Sequence, residues 1–358
     1  MLTTTSPNVL SSNMKRNYIL DFFKLVGSFF VVFTHVCFPG YLGRFVRCIG
    51  RFAVPVFFAS AGYFSFNASS LRIRKKLVHI LQLNLLAMAI HVIWDCIIIE
   101  YSGGSTIGFL RSLTPNPGWI VSTFLLLEHP FYEYQYEHLW FLVALAICYC
   151  ILAVFIHFFG DRPANFHSLY VVGFTMCILH IFVEEVATAC GHPLSFQMSR
   201  NTLLFAFPLF TLGIFLREYQ QQILTNFHLS PAKLVFLIAF GMLVSLSEEK
   251  AVGNIELYTG TLISSVAIML LCAALSESSV NKSSLCSIMR WFGPLSTWVY
   301  LLHMILIQFY DLFCKSACYR LLGQAEPWLQ PVVVLVLSLI GAVLFECACR
   351  WIRKLRKK

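Results

Sequence analysis

Residues 20–35 read LDFFKLVGSFFVVFTH, an apolar stretch with a lysine near its start and a histidine at its end. Apolar runs of about 17 to 25 residues are long enough to cross a bilayer as a helix. At about 100° and 1.5 Å per residue, the path from Lys24 to His35 returns to within about 20° of the same face and climbs about 16 Å. The two side chains therefore share one stripe, together with Asp21 and Ser28, while Phe22, Phe29, Phe30, Val32 and Phe33 make the apolar remainder. Ionisable groups at membrane depth are costly and face protein or water. They mark a pathway, a reaction site or a polar contact between helices.

The same kind of run recurs along the chain, near 19–38, 49–66, 77–99, 137–159, 168–187, 201–217, 232–247, 255–276, 295–314 and 328–350. Of the 358 residues, 58% are hydrophobic and only 12% are charged, at a mean hydropathy of +0.74. A soluble domain carries about 25% charged residues. The expectation is an all-α, polytopic transmembrane bundle of about ten spans. It occupies residues 15–350, between a polar tail at 1–14 and a basic tail at 351–358. The first tail has no cleavage-site pattern after a short apolar core, so span one reads as an uncleaved anchor.

Lysine and arginine collect before span one (Lys15, Arg16), after span two (Arg72, Arg74, Lys75, Lys76) and at the end (Arg350, Arg353, Lys354, Arg356, Lys357, Lys358). The positive-inside bias makes these segments, and both termini, cytoplasmic. The segment between spans three and four, with Glu100, Glu128, Glu133 and Glu137 against Arg111 alone, suits the outer side. Arg44, Arg47 and Arg51, in what reads as the first outer loop, break the pattern. This distribution explains the net charge of +9 without nucleic acid, for which no binding motif is present.

The thirteen cysteines are scattered and form no CxxC pair. Cys148/Cys150 and Cys347/Cys349 have the wrong spacing for metal ligation and read as packing residues, and no metal site is expected. Cys37 and Cys48 are candidates for an outer-side disulfide. Walker, GxGxxG, HExxH and GxSxG patterns are absent, so ATP-driven transport, dinucleotide chemistry, zinc hydrolysis and an α/β-hydrolase triad lose their usual support.

Parity of the spans places His35, Arg51, Glu137, His138, Arg200 and Glu256 at outer helix ends, where they would form a polar vestibule. Span nine carries Ser296, Tyr300 and His303 on one face, with His303 at mid-membrane depth. Asn84, His91 and Asp95 share a face of span three, and His180 with Glu184 in span five reads as a pair of packing partners. His79 needs no special role. In span two, Pro55 and the small residues Ala59, Ser60, Ala61 and Gly62 allow close approach of a helix or a ligand.

Taken in order, LDFFKLVGSFFVVFTH (20–35, an R/K-x10-H pattern), RFAVPVFFASAGYF (51–64), EHLWFL (137–142), RNTLLFAFPLFTLG (200–213) and STWVYLLH (296–303) resemble the membrane-integral acyltransferase-3 family. Its members O-acylate sugars of cell-envelope polymers and related acceptors. The resemblance implies acetyl-CoA or another acyl-CoA as donor, a glycan or lipid-linked sugar as acceptor, contact with membrane lipids, and a multi-pass place in a bacterial plasma membrane. Ala61 stands where the family usually has a serine before the span-two glycine, which removes a nucleophilic role for that position. The hydrolase-like domain that some members attach is also missing, so a second transfer step would need a partner protein.

Acyl transfer needs a base, a site for the thioester oxyanion and an anchor for donor phosphates. On this reading His35 is the general base or a transient acyl carrier, oriented by Glu137 or His138. Arg51 stabilises the oxyanion or holds an anionic acceptor. Lys24 guides the donor, whose phosphates meet Arg72, Arg74, Lys75 and Lys76. Tyr300, His303, Arg200 and Glu256 line the route to the acceptor. The competing class is a transporter or flippase, which also uses intramembrane charges, although the two halves of the chain show no convincing repeat.

Overall fold

The computed structural model describes residues 16–112, 136–160, 165–276 and 288–355, and every regular element among them is helical. Helix α1 (Tyr18–His35) starts at Asn17, whose side chain accepts from the Leu20 amide and donates to the Cys272 carbonyl at 2.8 Å. Pro39 then opens α2 (Gly40–Gly50). A turn at Arg51 and Phe52 leads into α3 (Ala53–Tyr63), followed by the long α4 (Ser70–Tyr101). Next come α5 (Trp140–Phe159) and α6 (Phe166–Ala189). A π-turn over Thr202–Ala206 feeds α7 (Phe207–Asn226), and α8 (Pro231–Val252), α9 (Thr259–Ser276), α10 (Phe292–Phe309) and α11 (Glu326–Leu355) complete the bundle.

Nine stretches among the described residues are long and apolar enough to cross a membrane, and the last of them, Phe292–Leu355, is 64 residues long. That stretch would run about 96 Å as one helix, some three bilayers. It is instead α10 and α11, packed against each other and joined by short helical segments, so the described residues hold ten helical stretches of membrane length. The all-α polytopic expectation therefore holds. Residues 40–50 correct the expected outer loop: they are helical, because Leu42, Phe45, Val46 and Ile49 recur at helical spacing behind the Pro39 cap. Arg44 and Arg47 thus ride on a helix, and Arg44 Nε lies 3.5 Å from Glu249 Oε1. The Cys37–Cys48 disulfide does not form. Cys37 is exposed and free, whereas Cys48 is buried against Ile255 and Tyr258.

Burial sorts the helices into a centre and a rim. The stretches Gly40–Tyr63, Thr202–Asn226 and Thr259–Ser276 have 61% of their most apolar window buried, against 11% for Ser70–Tyr101 and 17% for Pro231–Val252. Small residues make the central contacts close: a Cβ on Gly62 would sit 1.8 Å from the Phe210 carbonyl oxygen, and one on Gly213 would sit 1.9 Å from that of Ala59. The small-residue run of α3 is therefore the seam with α7. On the other side of the centre, α10 packs against both α1 and α11, which brings its polar face to the Lys24–His35 stripe.

Candidate functional site

Helix ends assemble the first part of the site. His35 is the last residue of α1, and Arg51 occupies the break between α2 and α3. Arg200 precedes Asn201, whose side chain accepts from the amides of Leu203 and Leu204 and so starts the π-turn. Glu256 lies in the α8–α9 connection, which leaves α8 through Gly253 at φ +105° and is tied by the Tyr258 hydroxyl to the Gly253 carbonyl at 3.0 Å. Arg51 Nη1 donates to Glu256 Oε2 at 2.6 Å, and Arg200 Nη2 donates to Glu256 Oε1 at 2.9 Å. A second donor of Arg51 reaches Asn254 Oδ1 at 2.8 Å. Burial alone would raise the Glu256 carboxyl, but the guanidiniums of Arg200 and Arg51 overcome it and hold the pKa at about 2.

Two guanidiniums thus share this one carboxylate beside the cavity that all three residues line. Arg51 Nε is buried with no hydrogen-bond partner among the described residues. Glu184 extends the network in a way the helical spacing did not suggest. Its two oxygens accept from the backbone amides of Glu256 at 3.0 Å and Leu257 at 3.3 Å, while His180 Nε2 stands 3.4 Å away. The expected packing pair is thus the anchor of the Glu256 loop. Only the carboxylate four residues after a histidine in an apolar span hinted at it.

Four histidine rings follow one another behind the site; His35 and His138 reach the smaller cavity, whereas His303, expected to line the route, packs behind them. The His35 and His303 centroids are 5.1 Å apart, those of His303 and His138 5.0 Å, and those of His138 and His91 4.9 Å. His303 Nδ1 donates to the Tyr300 carbonyl at 2.6 Å, which leaves Nε2 as the lone-pair nitrogen of the neutral ring. That Nε2 has no partner among the described residues. His91 Nε2 donates to the Leu301 carbonyl at 3.1 Å, and the Tyr136 hydroxyl donates to Asp95. The Tyr300 hydroxyl donates to the His138 carbonyl. The 3-10 turn Glu137–Leu139 presents His138, whereas the side chain of Glu137 lies outside the described residues.

His35, Arg51, His138, Arg200, Glu256 and Tyr300 line one cavity of about 50 Å³. Its remaining wall is largely apolar, with Val31, Ala53, Val54, Trp140 and Phe205. A second cavity, of about 290 Å³, is lined by Lys24, Lys76, His79, Ser60, Ala61, Tyr149 and Ser296 among others, and again by Tyr300. Tyr300 therefore belongs to both, with Phe141 at 5.7 Å and Phe57 at 6.4 Å between ring centroids.

The Lys24 cavity refines the expected donor set. Asp21 is taken by Arg16, at 2.5 Å, and Lys24 makes no side-chain hydrogen bond or ion pair among the described residues. Lys76 turns inward, with Nζ 2.5 Å from the Phe64 carbonyl oxygen and 3.0 Å from Ser65 Oγ. Arg72, Arg74 and Lys75 are exposed and do not line the cavity. His79, to which the sequence assigned no role, does line it. Ser60 Oγ donates within its own helix to the Phe57 carbonyl at 2.8 Å, so its hydroxyl is occupied by the backbone. Among the described residues no three His, Cys, Asp or Glu side chains are arranged to hold a metal ion.

An imidazole facing an arginine-lined wall, with a larger lysine-lined cavity beside it, suits transfer of a group through a developing anion. No curated protein and no solved structure matches the chain. The family model of the acyltransferase-3 acyltransferase domain matches residues 17–347, from the cap of α1 to the last turns of α11, and so takes in both cavities. The chain accordingly belongs to the acyltransferase-3 family, as a multi-pass membrane acyltransferase.

Proposed function

We propose that this protein moves an acyl group from a cytoplasmic acyl-CoA, bound in the Lys24 cavity, to a hydroxyl of a cell-envelope sugar or related acceptor that reaches the His35 cavity. The observation that supports the reading is that Tyr300 lines both cavities, with Lys24 on the larger and His35 on the smaller. Family membership favours transfer over simple translocation. The separation of Lys24 and His35 along α1, about 16 Å, suits an extended pantetheine arm. Both termini then lie in the cytoplasm of a bacterial cell, and the exposed Arg72, Arg74 and Lys75 meet the donor phosphates outside the cavity.

In this mechanism neutral His35 takes the proton of the acceptor hydroxyl as its oxygen attacks the thioester carbonyl. The tetrahedral oxyanion forms against Arg51, whose guanidinium is already fixed by Glu256 and Asn254. The C–S bond then breaks, the His35 imidazolium returns its proton to the leaving thiolate, and the products are the ester and free coenzyme A. His303 packs on the His35 ring and limits its rotation. Mass spectrometry of envelope glycans from cells with and without the protein tests the reading. An acyl mass present only with the protein is expected, and identical glycan masses would refute it.

A further inference from the structure

Nothing in the donor reading fixes the length of the acyl chain, but the walls of the His35 cavity bear on it. The cavity is about 50 Å³, against about 290 Å³ for its neighbour. Its polar side, with His35, Arg51 and Glu256, has to receive the acceptor hydroxyl and the oxyanion. Only the apolar side remains for the tail of the acyl group. There Val54 sits one turn beyond Arg51 on α3, and Phe205 projects from the π-turn.

Phe205 is not free to move aside. It is 2% exposed, and its ring is held by Trp140 at 5.8 Å, Phe58 at 6.4 Å and His180 at 5.6 Å between centroids. The π-turn beneath it is pinned by the Asn201 cap and followed by Pro208. A tail folded back toward Lys24 would meet Tyr300, Phe57 and Phe141, where the pantetheine arm must pass. Each added methylene therefore presses on packed side chains, and packed interiors resist such insertion.

We infer that Val54 and Phe205 form a steric stop that restricts the donor to short acyl groups, an inference that rests on the donor reading above. A pocket that excludes one methylene discriminates by about 10- to 200-fold. Substrate length is thus set at the His35 end of the route, by residues that take no part in proton transfer. The Lys24 cavity, with its greater volume, holds the part of the donor that all acyl-CoAs share.

The test needs no acceptor. Purified full-length protein is titrated calorimetrically with coenzyme A and with ketone analogues of acetyl-, butyryl- and hexanoyl-CoA in which a methylene replaces the thioester sulfur. The wild type is expected to bind the acetyl analogue at least tenfold more tightly than the butyryl one. In Val54→Ala and in Phe205→Leu that ratio should collapse toward one, while coenzyme A itself, which has no tail, binds as before. A wild type that binds the hexanoyl and acetyl analogues equally, or a ratio unchanged in both variants, overturns the steric stop. Failure of coenzyme A to bind the wild type at all overturns the donor reading beneath it.

Discussion

The imidazoles of His35 and His303 lie 5.1 Å apart, centroid to centroid, one at the end of α1 and the other buried in α10. His303 is fixed through Nδ1 on the Tyr300 carbonyl, so the ring that borders His35 is held by the same residue that divides the two cavities. His35 itself has its side chain open to the smaller cavity, the position a proton acceptor requires. Replacing His35 by alanine should lower acyl transfer by about 10²- to 10⁴-fold at unchanged protein level. His303→Ala should leave coenzyme A binding intact but reduce turnover, and kcat and KM measured separately distinguish the two effects.

Glu256 holds the two arginines of the cavity wall. Glu256→Gln removes the charge of the carboxylate that the part-buried Arg51 and Arg200 share, at a cost of about 1–3 kcal/mol. The pKa of its carboxyl is lowered from 4.5 to about 2, so the stabilisation is complete above about pH 4.5 and is lost as the pH falls from there toward 2. Thermal unfolding should therefore be insensitive to Glu256 protonation between pH 7 and 5 and should weaken below that range. The variant should be less stable at neutral pH and lack this acid component.

Lys24 is expected to act on the donor and not on the chemistry. Lys24→Met should raise the KM for acyl-CoA about tenfold or more with a smaller change in kcat, and Lys24→Arg should recover part of the loss. Lys76→Met should also weaken donor binding, and in addition destabilise the end of α3, because its ammonium holds the Phe64 carbonyl.

The α3–α7 seam gives a prediction independent of function. A side chain at Gly62 would place Cβ 1.8 Å from the Phe210 carbonyl oxygen, a backbone atom that cannot rotate away. Gly62→Val should lower stability by about 1–3 kcal/mol or more. At Gly40, where nothing lies within 4 Å of the added atom, any cost of substitution arises from its positive φ alone. Thermal denaturation in detergent would separate the two positions.

The passes of the bundle were legible because each apolar run is long enough to span. α2 was not, since its arginines read as a loop and its apolar residues are spaced over only three turns. His35, Arg51, His138, Arg200 and Glu256 could be grouped in advance by helix parity, which puts the helix ends of one side together. Their partners could not. Glu184 reaches the backbone of a residue 72 positions away, and nothing in its own span declares that contact. Likewise, which side chain of the basic run at 72–76 turns inward depends on the Phe64 carbonyl that Lys76 finds. The pairing of α1 with α10, and with it the His35–His303 contact, is a matter of tertiary packing.

The most direct test supplies radiolabelled acetyl-CoA to the cytoplasmic face of inverted membrane vesicles that contain the envelope acceptor. Label should appear in the glycan with the wild-type protein and fall to background with His35→Ala at equal protein abundance. Equal labelling by the two proteins, or none by the wild type while the isolated glycan carries an acyl group that depends on the protein, would contradict a route that runs from Lys24 to His35.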